Sequence, residues 1–185
     1  SKGVLTHLPD VMCVWGEQTK EQAVKIHGMC EGRVFVLGSP QFEVYREQKS
    51  KLGAQSEQSL TPDKHQPKIL FLGTARYRDE VKILKRLDQK IETGELKKSL
   101  IIYRPHPWRE PNQDAENFFD VKFKNVVLDP EIEEHYHAYL HQPTYDVKSY
   151  VQDWKHAKSL LQSVDGVIAS LTTMGIEAML CGKPV

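Results

Sequence analysis

The sequence predicts an α/β fold: a doubly wound parallel sheet of the Rossmann-like kind, preceded by the end of another α/β domain. Three observations predict it. Short apolar runs without polar alternation recur at Lys68–Leu72 (KILFL), 99–103 (SLIIY), 125–128 (NVVL) and 167–169 (VIA), as strands buried on both faces require. Helical periods separate several of them, with Val81, Leu84, Leu87 and Ile91 on one stripe and Val151, Trp154, Ala157, Leu161 and Val164 on another. Strands at 68–72, 99–103 and 167–169 also each run into a polar turn, the edge at which parallel sheets bind ligands.

Taken in order, 11–15 (VMCVW) is a short buried strand, 18–29 a helix with Ala23, Val24 and His27 at helical spacing, and 33–37 (RVFVL) a second strand closed by Gly38-Ser39-Pro40. Strand, helix, strand is a parallel crossover unit. Residues 1–45 therefore read as an α/β unit of their own, which the resemblance given below makes the end of a preceding domain and a hinge. The stretch 46–67 is nearly devoid of apolar residues and rich in Gln, Ser and Lys, so burial cannot offset its ordering entropy; it reads as a flexible linker. Residues 68–185 then form the main domain. The segment 133–142 (EEHYHAYLHQ), with His135, His137 and His141, reads as a polar connector whose His and Tyr residues shape an acceptor or base pocket. The chain begins without Met and stops at Lys183-Pro184-Val185, where another strand would start, so a piece of a longer protein is expected, truncated at its C-terminus.

The chain has 185 residues, with 25 Lys and Arg against 25 Asp and Glu. That zero balance argues against nonspecific nucleic-acid binding, which needs a basic surplus on one face. Cys13, Cys30 and Cys181 lack the paired spacing of a disulfide framework or zinc site, which points to a reducing, cytoplasmic compartment. No apolar run approaches the roughly 20 residues that span a bilayer, and no signal-peptide core is present.

The chemistry is expected at the polar turns. Ser170, Leu171, Thr172 and Thr173 lead into a helix whose N-terminus offers unpaired N–H groups to an anion. Thr172 and Thr173 add hydroxyls, and Glu177, a turn later, suits a sugar diol; Thr173 equally suits a helix cap, and Glu177 the helix dipole. Taken alone, this turn reads as a cap. In Arg104-Pro105-His106-Pro107 the prolines stiffen the backbone that presents the cation and the imidazole. Arg binds phosphate oxygens through its fork, and His donates a hydrogen bond or moves a proton near neutral pH. Thr74 and Arg76 follow the strand at 68–72 and are expected near the same anion. A metal on His135, His137 and His141 is disfavoured because only the last two share a helix face, and no Asp-x-Asp pair is present. The run from Gly175 to Lys183 lacks P-loop glycine spacing and has Pro184 where a Ser/Thr is needed; G-x-G-x-x-G is absent.

SLTTMGIEAMLCGKPV resembles the motif Ser/Thr-Ser/Thr-x-Gly-x-Glu-Ala-x-x-x-Gly-Lys-Pro-Val of the C-terminal domain of GT-B glycosyltransferases, including Kdo and capsule or surface-polysaccharide transferases and the related UDP-GlcNAc 2-epimerases. Arg104-Pro105-His106-Pro107 is similar to the Arg-x-His-Pro motif of CDP-glycerol glycerophosphotransferases. The stretch 10–45 resembles the closing segment of the N-terminal domain of the same proteins, which places Gly38-Ser39-Pro40 at the interdomain hinge. The resemblance implies a metal-independent transferase that takes a nucleotide-sugar donor and a glycan or lipid-linked acceptor in surface-polysaccharide biosynthesis. It implies no further cofactor, and work in the cytoplasm or at the inner membrane face. His106 and Arg104 are then expected to be catalytic; Thr74, Arg76, Ser170, Thr172, Thr173 and Glu177 are expected to hold the nucleotide and its phosphates. The general base is expected in the N-terminal domain, which leaves this piece inactive alone. Thr172-Thr173 with Glu177, in place of Ser-Ser and Asp, favours sugar transfer over polyol-phosphate transfer. A glycerophosphotransferase, a nucleotide-sugar 2-epimerase and a non-catalytic nucleotide-binding module stay open.

Overall fold

The computed structural model describes residues 7–46, 66–75, 79–112, 114–142, 144, 146, 150–170 and 172–185. The chain divides into two compact units, Ser1–Gly53 and Ala54–Val185. Of the stretch read as linker, residues 47–65 lie outside the described residues.

In the first unit β1 (Met12–Val14) and β2 (Val34–Val36) pair in parallel, connected by α1 (Glu17–Lys25). Val14, Ala23, Met29 and Val34 make its small core. The strand pair matches the expected crossover, but Phe35 and Val36 are exposed, so β2 is not buried on both faces. The Gly38-Ser39-Pro40 turn starts a helix that the sequence reading lacked, α2 (Pro40–Arg46). Proline suits the first helical turn because its missing N–H has no partner to lose there.

The second unit holds β3 (Lys68–Leu72), α3 (Glu80–Glu92), β4 (Leu100–Arg104), β5 (Val126–Leu128), α4 (Pro130–His141), α5 (Trp154–Ser163), β6 (Gly166–Ala169) and α6 (Thr173–Leu180). Its strands form one parallel sheet in the order β5-β4-β3-β6. The first strand is internal, the next two step outward on one side, and the last lies on the other. This α/β arrangement is compatible with a Rossmann-like fold.

The register aligns Leu72 with both Arg104 and Ala169, so three strands end level and their turns stand side by side. On one face Phe71, Tyr103 and Leu128 line up across the sheet and pack with Val81 and Leu84 of α3 and Ile132 and Tyr136 of α4. Leu70 and Leu72, which alternate with Phe71, are buried as well, so this strand is covered on both faces. Helix α3 starts where Asp79 accepts a hydrogen bond from Lys82 N at 2.9 Å, and it is followed by Gly94 at φ 77°. A left-handed glycine is the usual way to leave a helix.

Helix α4 corrects the polar connector expected at 133–142. Asp129 caps it, Pro130 occupies its first turn, Glu131 and Glu133 lie at the positive end of its dipole, and His141 at the negative end. Among the described residues, no helix is long and apolar enough to cross a membrane. All three cysteines are free, Cys13 and Cys30 exposed and Cys181 buried.

Candidate functional site

The level ends of β3, β4 and β6 enclose a cavity of about 290 Å³. Its walls are Leu72-Gly73, 104–108, Tyr150, Gln152 and 172–174. It lies beyond the carboxyl ends of a sheet whose strand order reverses between β3 and β6, the kind of place at which open α/β sheets bind ligands.

Thr172 is the N-cap of α6: its hydroxyl accepts from Gly175 N at 3.2 Å. The cap therefore falls one residue before Thr173, which is exposed at the cavity wall. The N–H groups of Thr173 and Met174, in the first helical turn, have no acceptor within the helix. Thr172 and Thr173 both line the cavity, so the expected hydroxyl turn and His106 are brought together.

His106 is half-buried in the cavity wall. Trp108 N donates to its Nδ1 at 3.2 Å, so in the neutral ring Nε2 carries the proton. Burial holds its pKa below the ordinary 6.5. Near neutral pH His106 is thus an uncharged donor through Nε2. The indole of Trp108 lies across it, ring centres 5.6 Å apart and planes at 75°.

Arg104 also reaches the wall, but its guanidinium is engaged behind it. Nη1 donates to Asp129 and, at 2.9 Å, to Glu131 Oε2, while Nη2 donates to the Tyr150 hydroxyl at 3.1 Å. Tyr150 in turn donates to Glu131. Burial alone would lower the Arg104 pKa; the charges of Asp129 and Glu131 reverse that and raise it. Burial would raise Glu131, but the hydrogen bonds from Tyr150 and Asp153 N, with Arg104, hold it below 4.5. His156 Nε2 completes the group, 2.8 Å from Asp129 Oδ1.

Ligand atoms of Asp129, Glu131 and His156 lie within 4.8 Å of one another, a spacing that a divalent ion accepts. Arg104 already sets its charge against both carboxylates, so a metal bound there would have to displace the guanidinium. The network is better described as a clamp that ties the 104–107 turn to α4. His135 adds to the clamp: 4 % exposed, it donates from Nε2 to Pro107 O at 3.1 Å, and its ring lies tilted against that of Tyr150, centres 4.8 Å apart. His137 and His141 share a face of α4, with ring centres 5.8 Å apart, and neither lines the cavity.

A second buried group holds the turn after β3. Glu80 accepts from Thr74 N at 2.8 Å and from the Tyr103 hydroxyl at 2.7 Å, and faces Arg109 Nη1 at 3.6 Å. Burial raises its pKa above 4.5 despite these partners. Asp114 accepts from Glu80 N at 3.0 Å and from Arg109. Gly73 is wedged between the turns: a Cβ there would lie 2.4 Å from Glu80 Oε2 and 2.8 Å from Pro105 Cα. Its own N–H donates to Arg104 O at 2.8 Å.

Of the other expected residues, Thr74 sits beside Gly73, with its N–H directed to Glu80 rather than to the cavity. Ser170 is exposed on the turn after β6 and does not line the cavity. Glu177 is 1 % exposed and is also absent from the lining. Arg76 lies outside the described residues.

Sequence reasoning missed Trp108, Tyr150 and Gln152 in the wall and Glu80, Asp129, Glu131 and His156 behind it. Asp129-Pro130-Glu131 was a readable helix start. Tyr150 and Gln152 precede α5 in irregular chain and carried no periodic signal.

No protein-family model matches the chain, and no curated protein matches it either.

Proposed function

We propose that the second unit binds the diphosphate of a nucleotide-activated donor in this cavity, and that the chain serves as the nucleotide-binding part of a GT-B-like glycosyltransferase of surface-polysaccharide biosynthesis. The observation that carries the reading is one cavity lined by Gly73, His106 and the Thr172-Thr173 helix start. Buried hydrophobic strands do not require a histidine donor and a hydroxyl-rich helix start at their ends, whereas an anion does.

In the reaction an acceptor hydroxyl oxygen bonds to the sugar's anomeric carbon and gives its proton to a base, while the bond from that carbon to the phosphate oxygen breaks and its electron pair leaves on the phosphate. The His106 Nε2 proton, the Thr173 hydroxyl and the first N–H groups of α6 meet that growing charge. A neutral imidazole donor suits the task because it need not be stripped of a charged hydration shell. Arg104 acts through the turn it anchors, with its positive charge held by Asp129 and Glu131. The ribose role of Glu177 depends on side-chain rearrangement around a carboxylate that is now buried. The acceptor, a glycan or lipid-linked sugar, and the base that activates it belong to the rest of the catalytic apparatus.

Titration calorimetry of the full chain with CMP, CDP, UDP, GDP and ADP tests the reading. One nucleoside diphosphate should bind, and His106→Ala should weaken it about 10- to 150-fold, the range for a hydrogen bond to a charged group. Absence of binding to any of them would remove the donor site and the transferase with it. Turnover of a sugar nucleotide without acceptor would instead select the epimerase.

A further inference from the structure

Trp108 is 58 % exposed at the rim of the cavity, yet its position is not loose. Its backbone N–H is bonded to His106 Nδ1, and its ring abuts the imidazole, so the indole is fixed relative to the anion donor. A large aromatic kept in water beside a polar cavity costs hydrophobic burial that folding would otherwise gain. Opposite chemistry is supplied by Gln152, also in the wall. Its Nε2 is sequestered from water and has no hydrogen-bond partner among the described residues. Buried amides are nearly always bonded, and the terminal torsion of glutamine is soft, so a small rotation turns this donor into the cavity.

Resting on the diphosphate reading, we infer that Trp108 and Gln152 form the nucleobase subsite, with the base stacked on the indole and its edge hydrogen-bonded by the amide. A base has the flat π-face that an indole takes and an edge of carbonyl and amino groups that both ends of a glutamine amide can match. The place is right as well. With phosphate on His106 Nε2, the neighbouring ring is where a ribose delivers the base. The Tyr150 hydroxyl is spent on Glu131 and Arg104, which leaves its ring to contribute only a wall. Stacking accepts every base, so selectivity falls to Gln152.

The test compares nucleoside diphosphates with inorganic pyrophosphate by calorimetry on the full chain and on its Trp108→Ala, Trp108→Phe and Gln152→Ala variants. Trp108→Ala should weaken the preferred nucleotide about 5- to 150-fold, the range for truncating a stacked aromatic, and leave pyrophosphate within about twofold. Trp108→Phe should recover most of the loss. Gln152→Ala should narrow the difference between bases. Equal weakening of both ligands by Trp108→Ala would mean that the indole only holds His106, and would overturn the subsite. So would an unchanged nucleotide affinity, or a wild-type affinity for nucleotide no greater than for pyrophosphate; both outcomes leave the anion site standing. Failure of wild type to bind either ligand would remove the diphosphate reading itself. An unaltered urea midpoint for Trp108→Ala is expected, since the side chain is exposed.

Discussion

Gly73→Ala is the smallest change that should disturb both the fold and the cavity. The added methyl would stand 2.4 Å from Glu80 Oε2, 2.8 Å from Pro105 Cα and 3.1 Å from His106 N. Two of these are backbone atoms in a proline-stiffened turn. The third belongs to a carboxylate held by Thr74 N and the Tyr103 hydroxyl, so none yields freely. Overpacking of this kind costs about 1–3 kcal/mol. Displacing Glu80 would add the loss of one or two hydrogen bonds at about 0.5–1.5 kcal/mol each. A destabilisation of about 1.5–6 kcal/mol follows. With a urea slope of roughly 2 kcal/mol/M, the midpoint should fall by about 0.75–3 M. The assay is urea unfolding followed by tryptophan fluorescence in a Trp15→Phe background, which leaves Trp108 and Trp154 to report on the second unit. Because the clash moves His106, pyrophosphate binding should weaken in the same variant under native conditions. A midpoint within about 0.25 M of the parent's would refute the close approach of the two turns.

Arg104→Ala should destabilise the second unit by about 3–5 kcal/mol in the same urea assay, because it strands Asp129 and Glu131 in the interior; a loss below about 1 kcal/mol would mean the clamp is dispensable. The pH response of Glu131 has a definite sign: its folded pKa lies below 4.5, so the stability it contributes is present above pH 4.5 and is lost as pH falls through the folded value. Glu131→Gln should therefore flatten the acid limb of the stability profile below pH 4.5, and a parallel limb would contradict the clamp. Glu80 runs the other way, since its raised pKa favours the folded state at low pH and that increment disappears as pH rises above 4.5; Glu80→Gln should remove this opposing slope from the same profile. Thr172→Ala should cost about 0.5–2 kcal/mol through the lost cap, with Thr172→Ser restoring most of it in thermal unfolding.

The sheet was legible because its strands are written in short runs of Val, Ile, Leu and Phe, and KILFL reproduces β3 residue for residue, although the edge strands β5 and β6 expose Val127 and Ile168 and so are not buried on both faces as expected. The meeting of three polar turns followed from the same logic, since parallel strands that pair in level register end together. Helix α4 was hidden because His135, His137 and His141 interrupt its apolar stripe, although Ile132, His135 and Tyr136 are what it buries. A buried histidine is indistinguishable from a surface one until its partner, here Pro107 O, is known. The role of Arg104 was not legible for a related reason. Whether its guanidinium faces a phosphate or a carboxylate depends on Asp129 and Glu131, some 25 positions away, and no local pattern announces that pairing.

The reversal of strand order at β3 and β6, beyond whose level ends the cavity lies, is made by backbone topology rather than by any side chain. Whatever grips an anion there relies on a helix start and a turn whose geometry the sheet enforces. Trp108, Gln152 and Met174, by contrast, line the cavity and none of them is fully buried. If the cavity takes the diphosphate proposed above, exchange at those positions would re-tune which molecule is selected while leaving the scaffold and the helix start in place, a division of labour that lets ligand choice drift faster than architecture.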